Sequence, residues 1–208
     1  MAKQIERLQY ISQGRTATEQ LQGIQFVLDA GLKWIQLRCK DFTNEAYLDL
    51  GLEVQQRCKV YGATLIINDR VDLSRQLHAD GLHVGLEDTA VSIARDMLQP
   101  DTIIGGTANT LADLQQRVQE NCDYIGLGPF TYTSTKKKLS PVLGLSGYQA
   151  LLKTQITANV PVIAIGGVQI NDANILLDSG LYGLAMSGGL LNSTATEIKQ
   201  LLRYLNTL

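Results

Sequence analysis

Three polar residues interrupt an apolar run in the stretch "QLRCK". Gln36, Arg38 and Lys40 alternate with Leu37 and Cys39, so a repeat of two sends the three polar side chains to one face. Gln36 and Arg38 sit where a core is expected, and an unpaired charge there is costly, so a bound anion is the better partner. A second group is oxygen-rich: "IINDR" offers Asn68 and Asp69, and "GLEDT" offers Glu87 and Asp88. Two carboxylates with an amide beside them suit Mg2+, which prefers oxygen ligands and keeps water and substrate phosphate oxygens in its shell. The same aspartates precede helical stretches and could serve as N-caps, and both roles can hold at once.

The stretch "FTYTSTKKKLSP", residues 130 to 141, sets hydroxyls directly before three lysines. It reads either as a solvated surface loop or as a phosphate clamp in which Thr133, Thr135 and Lys136 reach the ligand, with Lys137 and Lys138 solvated. Glycine pairs close "AIGG" and "AMSGG", where absent side chains let backbone N–H groups come near a ligand. His83 lies inside a buried run and reads as hydrogen-bonded structure; His78 reads as exposed, and Arg70 as a surface or salt-bridge residue.

Elements that could position these groups recur along the chain. Apolar runs at 8–12, 34–38, 64–68, 81–85, 102–107, 123–129, 160–167 and 182–189 read as buried parallel strands. Between them, helical periodicity covers 17–30, 44–60, 90–98, 111–119, 146–157, 171–179 and 194–206, with a shorter piece near 70–77. Eight such units predict a single-domain (β/α)8 TIM barrel over residues 1–208. An open doubly wound sheet is disfavoured because no GxGxxG follows the first strand. Barrel enzymes keep their chemistry at the C-terminal strand ends, where the residues of "QLRCK", the carboxylates, the hydroxyl and lysine loop and the glycine pairs fall.

Composition limits the partners. At 208 residues and 45% hydrophobic, the chain can bury a substantial core. A formal charge of -2 and a pI near 5.7 disfavour nucleic acid or an anionic membrane as partner, so any basic cluster is local. Cys39, Cys58 and Cys122 are odd in number and too far apart for a CxxC-type metal site, which predicts reduced thiols in a cytoplasmic protein. The start "MAKQIERLQY" carries no apolar signal region, and no apolar run approaches a membrane span.

In order and over nearly its full length, the chain resembles the thiamine phosphate synthase family. The motifs that carry the resemblance are "QLRCK", "NDR", "GLHVGLED", "GPFTYTSTK" and "AIGG". The resemblance implies a barrel enzyme that joins 4-amino-2-methyl-5-hydroxymethylpyrimidine diphosphate to a thiazole phosphate, releasing pyrophosphate. It implies that Gln36, Arg38, Lys40 and Asn68 hold the pyrimidine diphosphate and that Asp69 and Asp88 bind Mg2+. Thr133, Thr135, Gly167 and the loop bearing Ser187 and Gly188 are implied at the thiazole phosphate, and Lys136 at the diphosphate. Arg38, Lys40 and Lys136 are the implied catalytic cations, stabilising the departing pyrophosphate without a protein nucleophile. Its partners would be these small molecules, with homo-oligomerisation left open.

The chain departs from the family pattern at several places. Thr107 replaces a serine, Asn109 a histidine, Tyr132 a proline and Lys138 an aspartate. Two rival activities share the barrel. A thiazole tautomerase needs a histidine where Asn109 stands, and an amide exchanges no proton usefully near neutrality. A non-catalytic phosphate-ligand binder would tolerate loss of Asp69, Asp88 or Lys136, and none is lost.

Overall fold

Eight short apolar segments pair in sequence order and close on themselves. The computed structural model describes residues 5–132, 141–157 and 159–208. Strands β1 (Leu8–Ile11), β2 (Trp34–Leu37), β3 (Thr64–Asn68), β4 (Gly81–Val84), β5 (Ile103–Ala108), β6 (Tyr124–Leu127), β7 (Val162–Ala164) and β8 (Gly183–Met186) form a closed parallel barrel in which β8 pairs with β1. Helices α1 (Ala17–Asp29), α2 (Asn44–Tyr61), α3 (Val71–Gln76), α4 (Val91–Met97), α5 (Leu111–Gln119), α6 (Gly144–Leu152), α7 (Ala173–Asp178), α8 (Gly188–Leu191) and α9 (Ala195–Leu205) alternate with them. The predicted (β/α)8 architecture is therefore the observed one.

Local chemistry explains the better-defined helix starts. Thr16, Thr110 and Thr194 each accept from the backbone N–H three residues on, and Glu19, Asp113 and Glu197 return the bond, satisfying otherwise orphaned donors. Gly62 closes α2 in the left-handed region. Three strands end earlier than apolar content suggests. β7 stops at Ala164 because Gly166 and Gly167 turn to φ +85° and +75°. β6 stops at Leu127, and the glycines after β8 begin the extra short helix α8 instead of extending the strand. α6 starts at Gly144 and ends at Leu152, displaced towards the N-terminus from its expected span.

Alternation along each strand sorts side chains into two cores. Outward residues such as Ile35, Leu37, Leu65 and Ile67 pack beneath the helices, while Ile11, Trp34, Ile66, Ile103, Tyr124, Ile163 and Ala185 fill the barrel. All three cysteines are buried free thiols, and burial pushes each up to about 12, so they are packing groups. No helix among the described residues is long and apolar enough to cross a membrane.

A buried arginine holds two site-bearing strand ends together. Arg117 of α5 donates through Nε to the Thr107 carbonyl at 2.9 Å and through Nη2 to the Gly85 carbonyl at 2.9 Å, and pairs with Glu120 at 2.7 Å. Its path is open only because residue 106 is glycine: a Cβ there would lie 2.5 Å from the Arg117 Cδ. Removing the guanidinium strands two carbonyls and a carboxylate. Arg117→Met is therefore expected to lower the free energy of unfolding by about 3 kcal/mol in urea titrations. Arg75→Met, which removes a pair with both side chains more than half exposed, should scarcely change it.

Candidate active site

The end of β2 delivers its polar face to the barrel mouth, as alternation predicts. Gln36 is fully buried, Arg38 is half-buried above it, and Lys40 lies at the rim with 52% of its side chain exposed. The backbone under Arg38 is pinned twice: its N–H donates to Ser12 Oγ at 2.9 Å and its carbonyl accepts from Gln20 Nε2 at 3.3 Å. Burial lowers the Arg38 guanidinium from its ordinary value, while Asp69 and Asp41 oppose that shift, and it stays a cation at neutral pH.

Arg70 is part-buried and, among the described residues, bonds to carbonyls and an amide in place of a carboxylate. Its Nη2 donates to the carbonyls of Cys39, Lys40 and Phe42 at 3.3, 3.2 and 2.7 Å, and its guanidinium stacks 4.8 Å above the Tyr47 ring. It thereby shapes the loop after β2 and sets the backbone that carries Lys40. Sequence patterning could not find this role, because the acceptors are main-chain atoms of a distant segment.

Two carboxylates meet beside Lys40. Asp69 occupies φ +64°, a left-handed conformation that short polar residues tolerate, and its N–H donates to the His83 carbonyl at 2.8 Å. Its side chain lies 3.2 Å from Lys40 Nζ and within hydrogen-bonding reach of Asp88. Burial first, then the Asp88 carboxylate, raise the Asp69 pKa above the ordinary range, with Lys40 opposing. Asp88 is held in turn by the Gly85 N–H at 2.6 Å.

The expected N-cap roles are not observed. Arg70 and Ala90 occupy the cap positions of α3 and α4, and neither helix has a side-chain cap. The two carboxylates instead face each other, with Lys40 beside Asp69 and the Gly85 N–H on Asp88. Two like charges in contact, all oxygen donors, are the set a hard divalent cation stabilises. Among the described residues no third His, Cys or carboxylate completes a cluster. Glu87 is exposed and lines a wider cleft that also takes in Arg38, Lys40 and Asp88.

A cavity of about 560 Å3 opens at the C-terminal strand ends, and Gln36, Arg38, Lys40, Asn68, Asp69, Asp88, Thr107, Gly167, Ser187 and Gly188 all line it. The predicted residues that fall among the described ones are therefore brought together at one mouth. Thr133, Thr135, Lys136 and Lys138 lie outside the described residues. The glycines have a double cause. At Gly167 a Cβ would collide with Thr131 Oγ1, and at Gly189 with the Val168 carbonyl, so packing of the β6, β7 and β8 loops already demands them. At Gly188 the nearest atoms are 3.8 Å away, which leaves its backbone open to the cavity.

Other cavity residues carry no motif. Gln13 lines the mouth and accepts from Ser187 Oγ at 3.1 Å. Beneath it, His83 is a hydrogen-bonded core residue as expected, between Tyr124 Oη and Thr107 Oγ1 at 3.0 Å each. Asn109 is absent from the cavity lining; it donates to the carbonyls of Gly128 at 2.8 Å and Pro141 at 3.0 Å, tying the end of β6 to the approach to α6.

A closed parallel barrel with cations, a carboxylate pair and glycine-rich turns at its C-terminal mouth defines a class of enzyme that handles phosphorylated small molecules. Within it, the model for the family described as thiamine monophosphate synthase matches residues 8–190. The chain is 48% identical over 184 residues to the thiamine-phosphate synthase of Flavobacterium psychrophilum, covering 88% of this chain and 89% of that protein. With the Flavobacterium johnsoniae thiamine-phosphate synthase the identity is 47% over 204 residues, covering 96% and 94%. The chain belongs to the thiamine monophosphate synthase family. A solved thiamine phosphate pyrophosphorylase from Pyrococcus furiosus shares the fold with a TM-score of 0.83 at 24% identity, covering 96% of each chain.

The raised Asp69 pKa has a consequence for stability. The folded protein binds that proton more tightly than the unfolded chain, so without metal its stability falls as pH rises from about 4 through the raised value. Asp69→Asn removes the charge and keeps a side chain that tolerates positive φ. It should raise the melting temperature of the metal-free protein at pH 7, and the gain should vanish near pH 4, as read by thermal unfolding in chelator.

Proposed function

We propose that the chain is a thiamine-phosphate synthase, a transferase that joins 4-amino-2-methyl-5-hydroxymethylpyrimidine diphosphate to a thiazole phosphate and releases pyrophosphate. The observation that carries the reading is the convergence of the β2 cations and the Asp69–Asp88 pair on one cavity. Gln36 and Asn68 orient the pyrimidine end, and Thr107 adds a hydroxyl at the floor. Arg38 and Lys40 stand where negative charge grows on the departing diphosphate, and fixed cations in a partly enclosed site stabilise that charge without reorganising. Asp69 and Asp88 would hold Mg2+, which when bound neutralises charge on the diphosphate. Gly167, Ser187 and Gly188 face the thiazole phosphate, while Thr133, Thr135 and Lys136 belong to the same reading from sequence. No side chain needs to act as nucleophile.

The tautomerase alternative loses its proton carrier. The Asn109 amide is committed to two carbonyls and lines no part of the cavity, which favours coupling over isomerisation.

Pyrophosphate release with both substrates should require a divalent metal. In Asp88→Asn, which keeps an acceptor for the Gly85 N–H, half-maximal activity should need at least about tenfold more Mg2+, and Arg38→Met should lower turnover by about a hundredfold. Full activity of the wild type in excess chelator would remove the metal from the reading. Thiazole isomerisation without coupling would replace the synthase by the tautomerase.

A further inference from the structure

Five side chains from five strands form a continuous polar chain under the cavity. Gln36 Nε2 donates to Gln9 Oε1 at 2.9 Å, and Gln9 Nε2 approaches Tyr124 Oη at 3.4 Å. Tyr124 Oη lies 3.0 Å from His83 Nδ1, and His83 Nε2 lies 3.0 Å from Thr107 Oγ1. Gln9, Gln36, Tyr124, His83 and Thr107 are all buried, so each donor and acceptor must find its partner within the protein.

The chain has a direction. Amide nitrogens have only hydrogens to give, and the Gln9 amide gives one to the phenol oxygen. Burial holds the Tyr124 phenol well above its ordinary range, so it keeps its proton and must direct it elsewhere. Among the described residues, the acceptor in reach is His83 Nδ1 at 3.0 Å. A neutral imidazole that accepts at Nδ1 carries its hydrogen on Nε2, and that hydrogen points at Thr107 Oγ1. With one of its two lone pairs so engaged, the Thr107 hydroxyl sends its own hydrogen away from the ring, to the side where Thr107 lines the cavity.

We propose that Tyr124 is a positioning residue that locks His83 in the Nε2–H tautomer and thereby makes Thr107 a hydrogen-bond donor towards the cavity. The floor then offers the hydroxyl hydrogen to a substrate atom with a lone pair at that point, such as an aromatic ring nitrogen or a phosphate oxygen. The phenol is held in place for this role: Trp34 meets its ring edge-on at 4.9 Å, and a Cβ at residue 105 would overlap the ring. The tautomer follows from the hydrogen-bond chain alone, whereas the substrate atom that meets the hydroxyl rests on the synthase reading.

The protein has only two histidines, and His78 is exposed, so uniform 15N-histidine labelling yields one buried and one reference ring. In the ligand-free wild type at neutral pH, two-bond 1H–15N correlation spectra should show His83 neutral and protonated at Nε2. Thr107→Val should keep that pattern, and Tyr124→Phe should lose it to a mixed or inverted tautomer. An Nδ1–H or doubly protonated His83 in the wild type, or an unchanged pattern in Tyr124→Phe, would overturn the proposal; the wild-type spectrum decides even where the variant fails to fold. In coupling assays Tyr124→Phe and Thr107→Val should each lower kcat/KM about tenfold, and the double variant no further than Thr107→Val alone. Additive losses would overturn the link to Thr107. An enzyme inactive in coupling but with the expected tautomer would instead refute the synthase reading and leave the lock standing.

Discussion

Tyr124 can cross the barrel only because Gly105 has no side chain. A parallel eight-stranded barrel has a narrow interior, and every second residue of each strand competes for it. Here bulk and absence alternate: Trp34, Ile66 and Tyr124 enter from β2, β3 and β6, while Gly81 and Gly105 withdraw on β4 and β5. A Cβ at Gly81 would lie 2.5 Å from Ile66 Cδ1, and one at Gly126 would lie 3.2 Å from the His83 ring. This allocation of space puts an apolar plug at the bottom of the barrel and a polar layer above it. The cavity begins where that layer ends.

Above the polar layer, cations divide their tasks by the acceptors they meet. Arg70 and Arg117 direct their guanidinium donors largely to backbone carbonyls, and so fix loops and strand ends from which other side chains project. Arg38 and Lys40 face the cavity beside Asp69. The distinction is physical: a guanidinium turned to carbonyls fixes backbone, whereas Arg38 and Lys40 also line the cavity, where cations favour an anion. The protein is slightly acidic as a whole, so this attraction is confined to the mouth.

The carboxylate pair shows a cost built into the site. Asp69 adopts a left-handed backbone, and its charge lies against that of Asp88 with Lys40 as partial compensation. Neither carboxylate caps the helix that follows it. In the proposed reading, a divalent cation would supply the counter-charge that Lys40 gives only in part.

Much of the site was legible before folding. Period-two alternation placed Gln36, Arg38 and Lys40 on one face, and the eightfold βα rhythm placed Asn68, Asp69, Asp88, Thr107, Gly167, Ser187 and Gly188 at strand ends that share a mouth. Both signals are local, because side-chain direction along a strand and the helical repeat depend only on near neighbours. Partnerships were not legible. That Arg70 gathers the carbonyls of residues 39, 40 and 42, that Arg117 bridges Thr107 and Gly85, and that Asp69 and Asp88 meet each other in place of helix ends are contacts across 10 to 32 positions. Gln9 and Tyr124 gave no motif at all, since their roles exist only once β1 and β6 face each other across the closed barrel. The amino-acid sequence thus determined which residues point inward and at which height, through alternation and chain rhythm. Only closure of the barrel decided which of them touch, because hydrogen-bond partners are chosen by proximity in space among groups that cannot reach water.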